Sequence, residues 1–189
     1  MEFEQSEASQ AVDREALLSA LPEIPEEEIR HGELQIPVGN GLPDIELFTD
    51  GGCSPNPGPG GWAFILRPAG GHSKSGIEHA GAVRHSTNNR MELTAVIRGL
   101  LSLEQPCRVR IVSDSEYVIK GLSEWIDGWK RRGWVNSRKK PVLNEELWRV
   151  LDVLRHHHNL DPQWTRGHAG HAENERCDVL VGMVRDRLG

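Results

Sequence analysis

The order of apolar segments predicts an α/β fold: a mixed five-stranded sheet, three antiparallel strands and then two parallel ones, flanked by helices. Three observations carry this. Strand-like runs at 45–50, 62–66 and 75–83 follow one another with short turn-rich connections, as an antiparallel meander does. Helix and strand then alternate to the C-terminus, and a helix leading into a strand implies a crossover and a parallel neighbour. The last segment, 172–188, carries Cys177, Leu180, Val181, Val184 and Leu188 on one helical face.

Each element has a local reason. The run Ile45-Glu46-Leu47-Phe48-Thr49-Asp50 breaks at Gly51-Gly52 and a loop rich in Pro and Gly, and Gly70-Gly71 separates the second and third strands. Thr87-Asn88-Asn89 offers capping side chains to a helix whose apolar stripe spans 91–103. Val109 to Ser113 is the next strand. Helical segments follow at 115–122 and 123–129, then a basic loop, a helix at 144–156 and a short strand at 160–165.

Residues 1–44 read as an acidic, flexible extension, and 45–189 as the main domain. The first part holds 11 acidic and 2 basic side chains, net −9; the second holds 17 and 20, net +3, so the overall −6 hides a division. A short helix is expected over 10–21, stopped by Pro22. With no site residue in the extension, its removal is expected to leave turnover intact. The Met-Glu-Phe-Glu opening has the wrong charge for a signal or transit peptide, and no apolar run nears the ~20 residues of a membrane span. Three cysteines, Cys53, Cys107 and Cys177, argue against a disulfide scaffold or zinc module and for a reducing compartment. A cytoplasmic monomer without membrane contact is the expectation. His156-His157-His158 is read as surface, because adjacent helical positions face different ways.

Four carboxylates look out of place. Asp50 and Asp114 each end a hydrophobic strand, at the rim where sites of open α/β sheets collect. Taken alone, either reads equally well as a turn or cap residue. Glu92 shares a helical face with Val96, Gly99, Leu100 and Leu103, and Asp178 borders the buried stripe of the last helix. A carboxylate cluster repels itself unless cations neutralise it, and Mg²⁺ is the usual choice where phosphates are the substrate. The block 130–140 holds six Lys/Arg and no acid, which reads as a footprint for a phosphate backbone or as a solvated loop.

Five separated motifs, in one unbroken order over about 45–189, resemble type 1 ribonuclease H. They are Thr49-Asp50-Gly51-Gly52-Cys53 with Asn56-Pro57-Gly58-Pro59-Gly60-Gly61; Thr87-Asn88-Asn89-Arg90-Met91-Glu92-Leu93; Ser113-Asp114-Ser115; the Trp125–Trp134 block, similar to the basic protrusion of the bacterial form; and Gly167-His168-Ala169-Gly170-His171 running into Asn174-Glu175-Arg176-Cys177-Asp178. The resemblance implies a ribonuclease H-like fold and an endonuclease that hydrolyses the RNA strand of RNA–DNA hybrids by a two-metal-ion mechanism, leaving 5′-phosphate and 3′-hydroxyl ends. It implies Asp50, Glu92, Asp114 and Asp178 as ligands of two Mg²⁺ ions, with Mn²⁺ as a substitute, and His168 as an aid to proton transfer or product release. It implies Asn56, Asn88 and Asn89 on RNA 2′-hydroxyls, Thr87 and Asn144 around a DNA phosphate, Tyr117, Trp125 and Trp129 against DNA sugars, and Lys130, Arg131, Arg132, Lys139 and Lys140 on the protrusion.

Two departures from the family pattern stand out. Glu116 adds a carboxylate near the RNA-strand contacts, and His85 stands where an Arg often supports the phosphate pocket, with Arg84 adjacent as a substitute. Two other functions compete: a hybrid-binding module with weak catalysis, which predicts a missing acid, and a DNA nuclease on the same fold, which predicts no basic protrusion.

Overall fold

The structure is a computed structural model, and it describes residues 12–70, 75–167 and 171–189. Strands β1 (Glu27–Glu33), β2 (Asp44–Cys53), β3 (Gly58–Pro68), β4 (Gly76–Ser86), β5 (Arg108–Ser113) and β6 (Asn159–Trp164) form one sheet in the order β1-β4-β3-β2-β5-β6. β1 to β4, β4 to β3 and β3 to β2 are antiparallel; β2–β5 and β5–β6 are parallel. Helices α1 (Arg14–Ser19), α2 (Asn88–Leu101), α3 (Glu116–Lys120), α4 (Ile126–Arg131), α5 (Glu145–His157) and α6 (Ala172–Asp186) complete the chain. One core lies between the sheet and α2 with α5, around Trp62, Phe64, Leu47, Ile97 and Trp148; a second lies under α6, around Phe48, Ile65, Cys177 and Leu180.

The expected five strands are all present, with a sixth beside them. Segment 27–33, expected to lie in a flexible extension, is an edge strand paired residue by residue with β4, from Glu27 opposite Ala82 to Glu33 opposite Gly76. Only Ile29 on it is buried, so the alternating apolar signal of a strand is absent. Charged residues on an edge are what keep it from pairing with other chains. Leu21 is also buried in the main core, and Arg14 donates to the Leu101 carbonyl at the end of α2 (2.8 Å).

The two helices expected at 115–122 and 123–129 are one continuous run, α3 and α4 joined by a π-helical turn at Gly121–Trp125. The turn fits around Trp148 of α5: a Cβ on Gly121 would lie 2.0 Å from that indole, so only glycine permits the approach. The histidine triplet is not uniformly superficial. His156 is exposed, but His158 is 3% exposed and accepts the Cys107 backbone N–H (3.2 Å), and burial lowers its pKa to about 4. The N–H of Cys107 would otherwise be an unpaired buried donor.

Candidate active site

Sheet register brings the two strand-end carboxylates together. Phe48 of β2 pairs with Val112 of β5 in parallel, so Asp50 and Asp114, each two residues further on, leave the same edge of the sheet. Gly51 then lets α2 come close: a Cβ there would sit 2.4 Å from the Met91 carbonyl carbon and 2.5 Å from the Glu92 nitrogen. That contact sets the first turn of α2, with Glu92, against the end of β2. On the other side, Asn174 of α6 donates to the Val112 carbonyl (3.2 Å), which fixes Asp178 one turn later over the same rim. Asp50, Asp114, Asp178, Asn174, Glu175, Thr49 and Gly167 line one pocket of about 50 Å³.

Glu92 sits behind that pocket, accepting a short hydrogen bond from the Ser115 hydroxyl. Its pKa is raised to about 7: burial is the largest cause, Asp114 and Asp50 add repulsion, and the Ser115 bond opposes them. The charge of Asp50 also reaches the other core, where the Cys177 thiol is pushed up mainly by burial and next by Asp50. The donor set is therefore all-oxygen and anionic, which suits a hard divalent cation. Among the described residues no three His, Cys, Asp or Glu side chains gather closely enough to enclose a cation alone. An open set of this kind fits Mg²⁺, which keeps several waters and takes one or two carboxylates plus substrate phosphate rather than a closed protein cage.

The Glu92 shift has a sign that stability reports. Between the ordinary value of 4.5 and about 7 the folded state holds a proton that the unfolded state has released. Stability therefore falls as pH rises through that window, and the cost is complete above it. Glu92→Gln, in protein free of divalent cations, is expected to stabilise by about 2 kcal/mol at pH 8 and negligibly at pH 4. Urea melts at the two pH values check this; equal shifts at both would disconnect the effect from ionisation.

Beyond the acids, Asn88 and Asn56 are tied together. The Asn88 side chain accepts the Cys53 backbone N–H (2.7 Å), and the Asn88 backbone N–H donates to the Asn56 amide oxygen (3.1 Å). The β2–β3 loop is thus pinned to the start of α2, with Asn56 and Asn89 exposed. Thr87 caps α2, accepting from the Arg90 N–H. Tyr117, Trp125, Trp129 and Trp148 form a closed ring of neighbours, with centroids 5.2–6.2 Å apart. Trp148, which the sequence reading passed over, is its buried anchor and donates to the Tyr117 hydroxyl (2.9 Å). Asn144 donates to the same hydroxyl (3.1 Å) from a left-handed backbone conformation.

The basic block is a shaped loop. Val135 bridges Pro141, and the Asn136 side chain accepts the N–H groups of Arg138 and Lys140. Lys130 is paired with Asp152 (2.8 Å), whereas Arg131, Arg132, Lys139 and Lys140 form no ion pair among the described residues. Glu116 is paired with Lys120 (2.7 Å) on the helix surface, which answers its charge locally. Arg84, beside His85, pairs on the surface with Glu26 (2.9 Å). His168 lies outside the described residues; Gly167, just before it, lines the acidic pocket, and a Cβ there would meet an Asp114 carboxylate oxygen at 2.7 Å. Two side chains without a signal in the sequence support the rim: Asn174, through the Val112 carbonyl, and exposed Trp164, whose indole N–H donates to the Asp114 carbonyl (3.1 Å).

An anionic rim at the ends of two parallel strands, in a chain that also carries a ring of four aromatic side chains and a basic loop, is the donor set of a metal-dependent nuclease. Comparison with known proteins specifies the class: the RNase H family model matches residues 43–185, and the chain belongs to that family. It is 58% identical over 137 residues to the ribonuclease H of Pelobacter propionicus, covering 72% of this chain and 82% of that one, and 54% identical over 144 residues to that of Halorhodospira halophila, covering 76% and 94%. Among solved structures, LC9-RNase H1, a type 1 RNase H with the type 2 active-site motif, superposes with a TM-score of 0.67 at 26% identity, over 80% of this chain and 76% of that one. LC11-RNase H1, solved in complex with an RNA/DNA hybrid, shares the fold, with a TM-score of 0.58 over 76% of this chain and 98% of that one. Among the described residues no helix is long and apolar enough to cross a membrane.

Proposed function

We propose that the chain is an endonuclease acting on the RNA strand of RNA–DNA hybrids, with residues 45–189 as its catalytic unit. The observation that carries the reading is the convergence of Asp50, Asp114 and Asp178 on one pocket with Glu92 behind it, in a chain of the RNase H family. The four carboxylates are the residues that would hold divalent cations, Mg²⁺ first and Mn²⁺ as a substitute. When bound, such ions supply charge neutralisation at the phosphate and lower the pKa of water to a useful nucleophile. Asp50 and Asp114 would hold the cations at the strand ends, and the reacting phosphate would meet the carboxylates only through them; Glu92, buried and bonded to Ser115, holds its carboxylate still behind them; Asp178 adds a carboxylate from α6. His168, the residue after Gly167 in the sequence, takes the role of aiding proton transfer or product release.

Strand discrimination follows from side-chain chemistry. An amide donates and accepts at once, which suits the 2′-hydroxyl that separates RNA from DNA, and Asn56, Asn88 and Asn89 take that task. Thr87 and Asn144 take a DNA-strand phosphate. The ring of Tyr117, Trp125 and Trp129 offers an apolar floor for deoxyribose, which a 2′-hydroxyl would spoil. The chain works as a cytoplasmic monomer in this reading, and its free thiols at Cys53, Cys107 and Cys177 suit a reducing compartment.

Product ends test the chemistry. Cleavage with Mg²⁺ of a hybrid labelled in its RNA strand is expected to give internal cuts with 5′-phosphate and 3′-hydroxyl ends, ligatable without prior treatment. Ends carrying a 2′,3′-cyclic phosphate would make the RNA hydroxyl the nucleophile and overturn the reading. The basic loop has its own test. Exchanging Arg131, Arg132, Lys139 and Lys140 for Gln is expected to raise KM and to flatten its slope against log salt by up to about 0.9 per lost phosphate contact. Lys130 contributes little because Asp152 already holds it. A salt slope equal to that of the unaltered chain would leave the loop as a solvated feature.

A further inference from the structure

The proposed DNA-phosphate pocket rests on an arginine to which the sequence reading gave no role. Arg90, in the first turn of α2, donates through Nη1 to the Asn144 amide oxygen (3.1 Å) and pairs with Glu146 (2.7 Å). Through Nε it makes a short bond to Glu23, which lies in the segment before β1 and outside the part of the chain that the family model matches. The Glu146 side chain is half exposed, so solvent screens its pair with Arg90; Glu23 is 8% exposed. The Glu23 carbonyl accepts from Arg98 (3.1 Å), the Ser86 hydroxyl reaches its carboxylate (3.4 Å), buried Leu21 anchors the chain two residues earlier, and Pro22 and Pro25 stiffen the turn on either side.

The consequence passes along a chain of bonds. With its oxygen held by Arg90, the Asn144 amide must present its NH₂ group toward the Tyr117 hydroxyl and the pocket. An unheld amide turns over freely, and half the time would show an oxygen to a phosphate. Asn144 also sits in the left-handed region, φ +59°, a conformation that costs a non-glycine residue energy and persists where its surroundings fix it. The planar guanidinium fork supplies that fixing only if its own far side is clamped, and Glu23 is the buried clamp.

Resting on the hybrid-cleavage reading above, we infer that Glu23 is a positioning residue for the DNA strand: through Arg90 it fixes the Asn144 amide as a phosphate donor. The N-terminal segment thus serves substrate grip as well as the sheet edge. It touches no reacting atom, so its effect falls on KM and spares kcat.

The test uses the full-length chain with Glu23→Gln, Asn144→Ala and the double variant, assayed on one hybrid at fixed salt, with melting curves alongside. Glu23→Gln is expected to raise KM about three- to tenfold, the loss expected from loosening one charge-assisted bond, with kcat within about twofold. The double variant is expected to bind no worse than Asn144→Ala alone, because both act on one contact. A hybrid whose DNA strand carries methylphosphonates is expected to penalise the parent chain more than Glu23→Gln. Should that variant not fold, Arg90→Lys reads the same link from its middle and is expected to show the same KM rise and the same non-additivity. A lowered Tm with unchanged KM, or effects of Glu23 and Asn144 that multiply, would overturn the inference while the pocket stands. Asn144→Ala with unchanged KM would remove the pocket and the inference together, while cleavage by the parent chain would leave the enzymatic reading standing.

Discussion

Asp50→Asn is expected to lower kcat by at least about a thousandfold while hybrid binding stays within a few-fold of the parent chain. The loss corresponds to about 4 kcal/mol of transition-state stabilisation, within what a carboxylate-held cation supplies at a phosphate. Asp50 is the acid that couples to both sides of the site: it lines the pocket with Asp114 and Asp178, repels Glu92 across the α2 contact, and is felt by Cys177 beneath α6. The amide keeps the shape and loses the charge. Binding survives because grip on the hybrid comes from the loop at 131–140, the aromatic ring and the amides at 56, 88 and 89. Single-turnover cleavage with a gel-shift titration separates the two effects. Cleavage near the parent rate would end the role of Asp50 in holding cations.

Deleting residues 1–36 is expected to be the largest change in stability, although the composition of the segment reads as that of a flexible extension. Leu21 and Ile29 are each 4% exposed, and burying one such side chain contributes about 1.5–3 kcal/mol. The deletion also strips the ladder from the edge of β4. It uncovers His79, which packs against Trp62 and Phe64 and is bonded to Glu28 (3.1 Å), and it leaves Arg98 without the Glu23 carbonyl. For a chain of this size the loss is expected to lower Tm by about 10 °C or more. A calorimetric scan that shows an unchanged transition would return the segment to the status of an appendage.

The acidic composition of that segment was visible, but composition does not report partners: Glu23, Glu26 and Glu28 answer Arg90, Arg84 and His79, all of which lie more than fifty residues away. A strand with a single buried side chain carries no period-two pattern, so β1 had no signal to read. The same reason hid Trp148, one apolar residue among many on α5 until the glycine at 121 brought the π-helical turn against it. The site was far more legible. A hydrophobic strand ending in Asp places that side chain at a sheet edge whatever surrounds it, and a Glu on an apolar helical face predicts a desolvated carboxylate, as Glu92 is. Capping by Thr87 followed from residue type and position. Which arginine would serve the phosphate pocket did not follow, since the partners that set Arg90 apart, Glu23, Asn144 and Glu146, come from segments distant in the chain.

The central claim is that these carboxylates cut RNA only where it is paired with DNA. Its most direct test is incubation of the purified chain with Mg²⁺ and four labelled duplexes of one sequence: RNA–DNA, RNA–RNA, DNA–DNA, and DNA carrying a single ribonucleotide. The account predicts cleavage in the RNA strand of RNA–DNA alone. Comparable cleavage of DNA–DNA or RNA–RNA, or retention of the hybrid without a cut, would contradict it.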